Sequence, residues 1–316
     1  DCRFQNPEDL AALPGDAGLL VSQMGQMDGS VAGDLALYMP GGAIDVLFPG
    51  PALTDDRSWG DASCAPPDEA AFSPHGLDLL TRADGRLMLL VVNHGGRESV
   101  EFFEVTAAPV PALTWRGCAE DPGNAAFNDV VGRSDGGFYV THMFPQDGQM
   151  GAMLQGALLG SDTGHVYAWS PEGGWSVVPG SEGPFPNGIE LAEDESALYI
   201  NMYLAGEVRK LDLETGEVLA VYAGGNPDNS TWAADGRLLV ATHIAGLTET
   251  TACQDIAEGS CGFAFRIVAL DPESLAAETV LEHGGAPMGG ATVALEVGET
   301  LYLGTFAGDR IAAYRP

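Results

Sequence analysis

The sequence FSPHGLDLLTRADGRLMLLVVNHG, residues 72–95, contains two apolar runs of strand length joined by a short polar turn. Gly and Asp in the turn, ADG at residues 83–85, favour a reversal of the chain, so the pattern predicts a β-hairpin. Residues near the ends of paired antiparallel strands can face each other, and His75 and His94 can therefore meet at one rim of a sheet. A histidine at the edge of a loop can also lack any chemical role, and the spacing does not decide between the two interpretations.

Similar pairs of short strands recur along the chain. Examples are GFYVTH with HVYAWSP, ALYINM with EVRKLDL, and RLLVATH with FRIVALDP. These units follow Gly/Asp turns and recur at about 40 to 60 residues, which is typical of the blades of a β-propeller. The sequence therefore predicts an all-β fold that forms a single domain over residues 1–316, with the chemistry at the mouth of a central tunnel.

Residues 143–159 depart from the strand pattern. Their apolar side chains follow helical spacing at Met150, Met153, Leu154, Ala157 and Leu158. This amphipathic insert can form a lid over the mouth of the tunnel or a surface helix packed on a blade. The flexible methionines favour the lid.

The chain is strongly acidic. It has 45 Asp and Glu residues against 13 Lys and Arg residues, a net charge of −32, and Lys210 is its only lysine. Such a surface repels phosphates, so we expect no nucleic acid partner. The acidity can equally serve solubility or salt tolerance. The sequence contains no apolar run of about 18 residues and predicts no transmembrane segment.

The five cysteines indicate the compartment. Cys253 and Cys261 bracket a polar loop and predict a local disulfide, whereas Cys2, Cys64 and Cys118 leave one thiol over and cannot be paired from the sequence. Disulfides persist in oxidising compartments, and the chain begins at Asp1 rather than Met. We therefore expect a periplasmic or secreted protein whose leader has been removed.

Acidic and amide residues precede the apolar part of several predicted strands. Any one of them can be an ordinary turn residue. Together they offer oxygen donors without thiolates, which suits Ca²⁺ rather than zinc or copper. A set of two carboxylates and three amides would leave the ion enough positive field to polarise a carbonyl group. The two carboxylates are Glu8 and Asp228, and the three amides are Asn128, Asn187 and Asn229; the other acidic residues at these strand starts are Asp9 and Asp129.

The motifs FSPHGL, LLVVNH, FNDVV, FPNGI, PDNS, GATVA and LYLGTF resemble those of the serum paraoxonases and their bacterial relatives, in the same order. The resemblance covers nearly the whole chain, from NPEDLAALP onward. Gluconolactonases and senescence-marker proteins share the propeller and the metal-binding asparagines more distantly. The resemblance to these arylesterase-like lactonases implies a six-bladed β-propeller with two calcium ions (Ca²⁺) in its tunnel.

The resemblance also implies which residues hold the two ions. The deeper, structural calcium would be bound by Asp9, Asp129 and the carbonyl oxygen of Leu77. The exposed, catalytic calcium would be bound by Glu8, Asn128, Asn187, Asp228 and Asn229.

The activity implied is calcium-dependent hydrolysis of lactones, with aryl esters and organophosphates as lesser substrates. His75 would activate the attacking water, and His94 would hold and share the proton. The pocket for the lactone or ester substrate would be lined by Phe185, His243, Phe306 and His142. Phe185 and Phe306 can equally be core residues.

Two alternatives to the lactonase remain open. The main activity can be that of an aryl esterase or organophosphate hydrolase, or the chain can be a non-catalytic, calcium-stabilised propeller that binds a partner. The chain also lacks a cysteine near its end with which the mammalian enzymes tie the first strand to the last. Closure of the propeller must therefore rest on strand pairing, or Cys2 has another partner.

Overall fold

A computed structural model describes residues 1–26, 29–50, 57–108, 110–148, 151, 155–157, 159–253 and 256–315. The described residues form six small antiparallel sheets in chain order. The first three sheets contain β1 (Pro7–Ala12), β2 (Leu19–Gln23), β3 (Asp34–Tyr38) and β4 (Ile44–Phe48); β5 (Pro74–Thr81), β6 (Leu87–Asn93), β7 (Ser99–Thr106) and β8 (Ala112–Glu120); and β9 (Ala125–Gly132), β10 (Phe138–Pro145), β11 (His165–Ser170) and β12 (Gly174–Val177).

The remaining three sheets complete the fold. They contain β13 (Pro186–Leu191), β14 (Ala197–Met202), β15 (Glu207–Asp212) and β16 (Val218–Ala223); β17 (Asn226–Trp232), β18 (Leu238–Ile244), β19 (Ala264–Leu270) and β20 (Ala277–His283); and β21 (Ala291–Val297), β22 (Thr300–Thr305) and β23 (Ala312–Tyr314). Short helical segments occur at Pro14–Asp16, Tyr203–Ala205 and Leu247–Thr251, the last of which we call α1. No helix among the described residues is long and apolar enough to span a membrane.

The first strand of each sheet contacts the first strand of the next, and β21 contacts β1. This closed ring of inner strands defines a six-bladed β-propeller and confirms the predicted fold class. The predicted hairpin is β5 and β6, which pair in register from Pro74 opposite Asn93 to Thr81 opposite Leu87.

Aromatic side chains fill the wedge between neighbouring blades. Between the second and third sheets, Phe138 stacks on Trp169 with ring centroids 5.4 Å apart, and Phe102 lies edge-on to Phe138 at 5.8 Å. All three side chains are fully buried. Because interior packing is dense, these contacts fix the angle between blades and hence the positions of the inner strands.

Backbone pairing closes the ring at the start of the chain. The Phe4 amide donates to the Asp309 carbonyl at 2.9 Å, the Asn6 amide donates to Gly308 at 2.7 Å, and Ile311 donates to Asp1 at 3.0 Å. Closure therefore rests on strand-like pairing, and Cys2 is an exposed free thiol.

Two disulfides are present. Cys64 bonds to Cys118 and ties the segment after β4 to β8, which resolves a pairing that the sequence left open. Cys253 bonds to Cys261, as the sequence predicted.

The amphipathic insert is only partly described. Met150, Met153, Leu154 and Leu158 lie outside the described residues, and Ala157 is buried. The lid therefore stays a prediction.

Candidate active site

A β-bulge interrupts every inner strand at a similar place. A bulge sets an extra residue against its partner strand and re-aims side chains, and bulges are common beside active sites. The register shifts fall between Pro7 and Asp9, Pro74 and Leu77, Val130 and Phe127, Pro186 and Ile189, Pro227 and Ser230, and Ala291 and Val293. The predicted metal ligands all lie at these bulges.

The bulges bring consecutive residues to two depths of the tunnel. Glu8 and Asn128 line a cavity at the mouth, whereas their neighbours Asp9 and Asp129 line a second, deeper cavity. Regular strand alternation would turn one residue of each pair away from the tunnel. The bulges therefore explain how adjacent residues can serve two separate sites.

The second strand of each blade carries a fully buried polar side chain opposite the bulge, and in two blades this side chain bonds to the bulge directly. The hydroxyl of Ser22 accepts a hydrogen bond from the Asp9 amide, and that of Thr141 accepts one from the Asp129 amide, both at 3.0 Å. Backbone donors that a bulge removes from the ladder are satisfied in this way. The equivalent fully buried polar residues in the six blades are Ser22, Asn93, Thr141, Asn201, Thr242 and Thr305.

Two motif glycines allow the inner strands to approach each other. A Cβ on Gly76 would collide with Asp129, and one on Gly188 would collide with the carbonyl of Asp228. These are the glycines of the PHG and PNG motifs. Any side chain there would push the ligand-bearing strands apart.

The five residues predicted for the upper calcium are buried, and four of them line the mouth cavity, namely Glu8, Asn128, Asn187 and Asp228. Asn229 donates its side-chain amide to Glu8 Oε1 at 2.7 Å. By contrast, four other oxygen atoms of the set accept no hydrogen bond from the described residues. They are Glu8 Oε2 and the Oδ1 atoms of Asn128, Asn187 and Asn229.

Buried acceptors without donors are costly unless a cation satisfies them. The set consists of carboxylate and amide oxygens, which are the ligands that calcium prefers. The described residues contain no cluster of three or more His, Cys, Asp or Glu side chains placed to bind a metal, so a site here depends on the amides. These residues therefore fit the predicted calcium ion.

The deeper cavity brings together Asp9, Asp129 and Leu77. Asp9 accepts the Leu77 amide at 2.7 Å, and Asp129 accepts the Ile189 amide at 2.9 Å. Burial, and then repulsion from neighbouring carboxylates, raises the pKa of both aspartates well above the usual range. Within the described part of the chain neither forms an ion pair with Lys or Arg, so this pair also fits a bound cation.

The two histidines of the hairpin meet at the rim of the mouth cavity. His75 Nδ1 lies 2.7 Å from His94 Nε2, which is hydrogen-bond distance. His75 Nε2 lies 3.6 Å from Glu8 Oε2, too far for a hydrogen bond. His94 Nδ1 lies 3.0 Å from both carboxylate oxygens of Glu98. Burial lowers the pKa of His94, but Glu98 outweighs burial and the net shift is upward.

The mouth cavity has a volume of about 490 Å³. The dyad and the oxygen cluster form its polar floor. Its walls are largely apolar and come from Met24, Met143, Phe144, Phe185, Leu204 and Phe306. Phe185, one of the two aromatic residues whose role was open, has a φ of 63°, which is rare for a bulky residue and marks a constrained position at the wall.

His243 also lines this cavity and is almost fully buried. Its Nε2 lies 2.9 Å from the Ala291 carbonyl and must donate to it, so Nδ1 accepts the hydroxyl of Tyr203 at 3.0 Å. Burial lowers the pKa of His243 to about 4, despite the opposing hydrogen bond to Ala291. His243 is therefore neutral at pH 7 and acts as a fixed hydrogen-bonding wall.

His142 is placed differently. It is not among the cavity-lining residues but packs on His165 and Tyr167, with ring centroids 4.9 and 5.7 Å away. Its Nδ1 accepts a hydrogen bond from the backbone amide of Ala126 on β9 at 3.3 Å, and the side chain is buried. It belongs to the blade interior in this structure.

Sequence reasoning missed several residues at the site. Glu98 looks like a solvated charge in a turn, and Tyr203 follows a strand without any motif. Thr250 and Thr251 of α1 also reach the cavity. The one usable signal was the position of Glu98 four residues after His94, before the apolar run of β7.

The fold and the site together define a propeller with a cluster of oxygen donors and a histidine pair at the mouth of its tunnel. Residues 61–311 match the arylesterase family model, and the chain belongs to the arylesterase family. This membership agrees with the predicted resemblance and supports a hydrolase of esters or lactones. A comparison with curated protein sequences gave no match.

Solved structures share the fold at low sequence identity. A gluconolactonase from Xanthomonas campestris aligns with a TM-score of 0.55 and 18% identity over 100% of this chain and 87% of that chain. A periplasmic gluconolactonase from Pseudomonas aeruginosa aligns with a TM-score of 0.55 and 16% identity over 98% of this chain and 81% of that chain. Regucalcin from Agrobacterium tumefaciens, described as calcium-binding, aligns with a TM-score of 0.53 and 15% identity over 96% of this chain and 83% of that chain.

Proposed function

We propose that the protein is a calcium-dependent lactonase. The observation that carries the proposal is the set of buried, unpartnered oxygens of Glu8, Asn128, Asn187 and Asn229 beside the His75–His94 pair. A second calcium would be held by Asp9, Asp129 and the carbonyl oxygen of Leu77. Membership of the arylesterase family supports the reaction class.

The upper residues would hold the catalytic ion with Asp228. When bound, calcium would withdraw electron density from the substrate carbonyl and stabilise negative charge on its oxygen. The protein's own contribution is to fix the carbonyl near the dyad and to exclude bulk water with the aromatic wall.

His75 would act as the general base. Its Nε2 takes a proton from water while the water oxygen bonds to the carbonyl carbon of the lactone. The ring C–O bond then breaks, and the leaving alkoxide takes the proton back from Nε2, which yields a hydroxy acid. His94 shares the positive charge through its 2.7 Å contact with His75 Nδ1.

The walls of the cavity favour a lactone with an alkyl substituent. Seven of the lining side chains are apolar, among them Phe144, Phe185 and Phe306. A polyhydroxylated sugar lactone would leave its hydroxyls unpaired against these rings, which is costly. We therefore expect a lower kcat/KM for gluconolactone than for alkyl-substituted lactones.

The test is hydrolysis of a panel of alkyl lactones, gluconolactone, an aryl ester and a phosphotriester, before and after chelation and with calcium added back. Lactone hydrolysis that calcium restores supports the proposal. A higher kcat/KM for the aryl ester or the phosphotriester assigns the main activity to that alternative. Calcium binding without turnover of any compound would leave a non-catalytic, calcium-stabilised propeller.

We also propose that the protein is exported. The two disulfides support this, because such bonds persist in oxidising compartments. The periplasmic location of the Pseudomonas aeruginosa gluconolactonase is compatible with it. Detection of the native protein in a periplasmic or culture fraction would test the assignment, and an exclusively cytosolic signal would contradict it.

A further inference from the structure

Glu98 lies behind the histidine pair and outside the proposed metal sites. It is the residue before β7, its exposed fraction is 7%, and it is not among the residues that line the mouth cavity. Both of its carboxylate oxygens lie 3.0 Å from His94 Nδ1. The pair of histidines is thus part of a three-residue row that ends in a buried carboxylate.

Two further groups fix Glu98 as an acceptor. The backbone amide of Phe127 donates to Oε1 at 2.6 Å, and the side-chain amide of Gln146 donates to Oε2 at 3.1 Å. A backbone N–H can only donate, so the oxygen that faces it carries no proton. The remaining partner, His94 Nδ1, must then be the donor in its contact with Glu98.

The proton on His94 Nδ1 determines where the proton of His75 lies. With a proton on Nδ1, neutral His94 has a lone pair on Nε2 and accepts from the nitrogen 2.7 Å away, His75 Nδ1. Neutral His75 then has no proton on Nε2, the nitrogen on the side of Glu8. That nitrogen is the one required to take a proton from water.

We propose that Glu98 is a positioning residue that selects the tautomers of both histidines, so that His75 presents an unprotonated Nε2 to the cavity. This inference rests on the proposed lactonase function for its kinetic test, but not for its structural test. A carboxylate behind a catalytic imidazole also stabilises the cation that forms when the base is protonated.

The informative variant is Glu98→Gln. Its carbonyl oxygen can still accept the Phe127 amide, which turns the NH₂ group toward His94 Nδ1 and favours the opposite tautomer. We expect kcat for the best lactone to fall about 100-fold, with KM within about threefold. Glu98→Asp keeps the charge and should recover part of kcat.

The matched control is Glu104→Gln. Glu104 lies on β7, the strand that follows Glu98, and accepts a hydrogen bond from Arg116 at 2.7 Å, remote from the dyad. It should lose stability without a change in kcat. Long-range ¹H–¹⁵N spectra of the histidine rings provide the structural readout, with His94 assigned from the His94→Gln variant. Wild type should show a protonated Nδ1 and an unprotonated Nε2 at His94, and Glu98→Gln should reverse this pattern.

Either of two results would overturn the inference: an unprotonated Nδ1 at His94 in the wild type, or a folded Glu98→Gln variant with wild-type kcat. If Glu98→Gln does not fold, a wild-type-like kcat in folded Glu98→Ala overturns it instead. If the wild type hydrolyses none of the panel, the proposed function fails, and the ring spectra alone decide the role of Glu98.

Discussion

Asn187 and His75 both line the mouth cavity, but their side chains differ in hydrogen bonding. The Oδ1 atom of Asn187 accepts nothing from the described residues, whereas His75 already has His94 as a partner. Under the proposed function, loss of the amide would remove a calcium ligand, and loss of the imidazole would remove the general base. The two side chains can be separated experimentally.

We expect His75→Gln to lower lactone kcat about 100-fold with calcium affinity within about threefold of wild type. Asn187→Ala should lower both kcat and calcium affinity, the latter by about tenfold or more. Calorimetric titration with calcium and steady-state kinetics measure the two effects. Asn124→Ala, an exposed asparagine bonded to Asp147, serves as the control. Unchanged turnover in His75→Gln would remove the general-base role.

We expect the buried side chain of His142 to make the free energy of unfolding fall at acid pH. Burial, followed by the neighbouring His165, lowers its pKa from 6.5 to about 4. Because the folded pKa lies below the unfolded one, its contribution is complete above pH 6.5 and is lost as the pH falls toward 4.

Between pH 7 and pH 5 this loss amounts to about 2 kcal/mol. His142→Gln should therefore reduce the pH dependence of the free energy of unfolding by about that amount, measured by urea titration. His283→Gln is the matched control on an outer strand. Equal pH dependence in wild type and His142→Gln would contradict the expectation.

The residues of the site were predictable where a short motif carried them. The local sequence contains the signal, because a proposed ligand or base stands beside a glycine, proline or strand start in each of PHG, VNH, FND, PNG and PDN. Glu98 lacks such a signal because its role depends on Phe127, a residue of another blade. The side of the strand that His142 occupies depends on bulges, which periodicity does not reveal.

At the level of elements, α1 and the disulfide that follows it form one wall of the mouth cavity. Thr250 and Thr251 line the cavity, and the apolar cluster behind them includes Cys253, Cys261 and Phe306. The disulfide closes a short loop, for which the chain-entropy model gives a stabilisation of about 2.5 kcal/mol. It therefore fixes a wall of the mouth cavity rather than a remote surface.

We expect the double variant Cys253→Ser with Cys261→Ser to raise KM for a long-chain lactone about three- to tenfold, because the wall is no longer fixed. Its kcat and calcium affinity should stay within about threefold of wild type. The variant Cys64→Ser with Cys118→Ser removes the other disulfide and should lower stability without this change in KM. An equal KM effect in both variants would show that the loop has no specific part in binding.

The hairpin and the blade repeat were predictable because their pairing is local in sequence. The six bulges were not, since each depends on the approach of a neighbouring inner strand. The buried polar residues in VSQ, VVN, VTH, INM, ATH and GTF lie opposite the bulges, but their residue types alone do not identify a bulge. An isolated polar residue inside an apolar strand otherwise indicates only a weak strand.

On the scale of the whole molecule, the tunnel concentrates negative charge. Glu8, Asp9, Asp129 and Asp228 are all buried there and come from three different blades. Burial raises the pKa of the three aspartates, and repulsion within the group adds to this. A cation would relieve the repulsion across the whole ring.

Chelation should therefore lower Tm by about 6 °C, and added calcium should restore it. A ligand at about 1,000 times its Kd contributes about 4 kcal/mol, which corresponds to this shift for a chain of this size. Differential scanning calorimetry with chelator, calcium and magnesium measures the effect. A Tm that does not respond to chelation would contradict the proposed ion sites.

The hydrogen bond between Asn229 and Glu8 joins residues 221 positions apart. Contacts so distant in sequence form slowly, because a long loop must close before they gain any energy. During synthesis the first blade must therefore wait for β17 before the Glu8 carboxylate meets Asn229. The ion would then bind only nearly complete rings, and calcium outside the cell would act as a late checkpoint on folding.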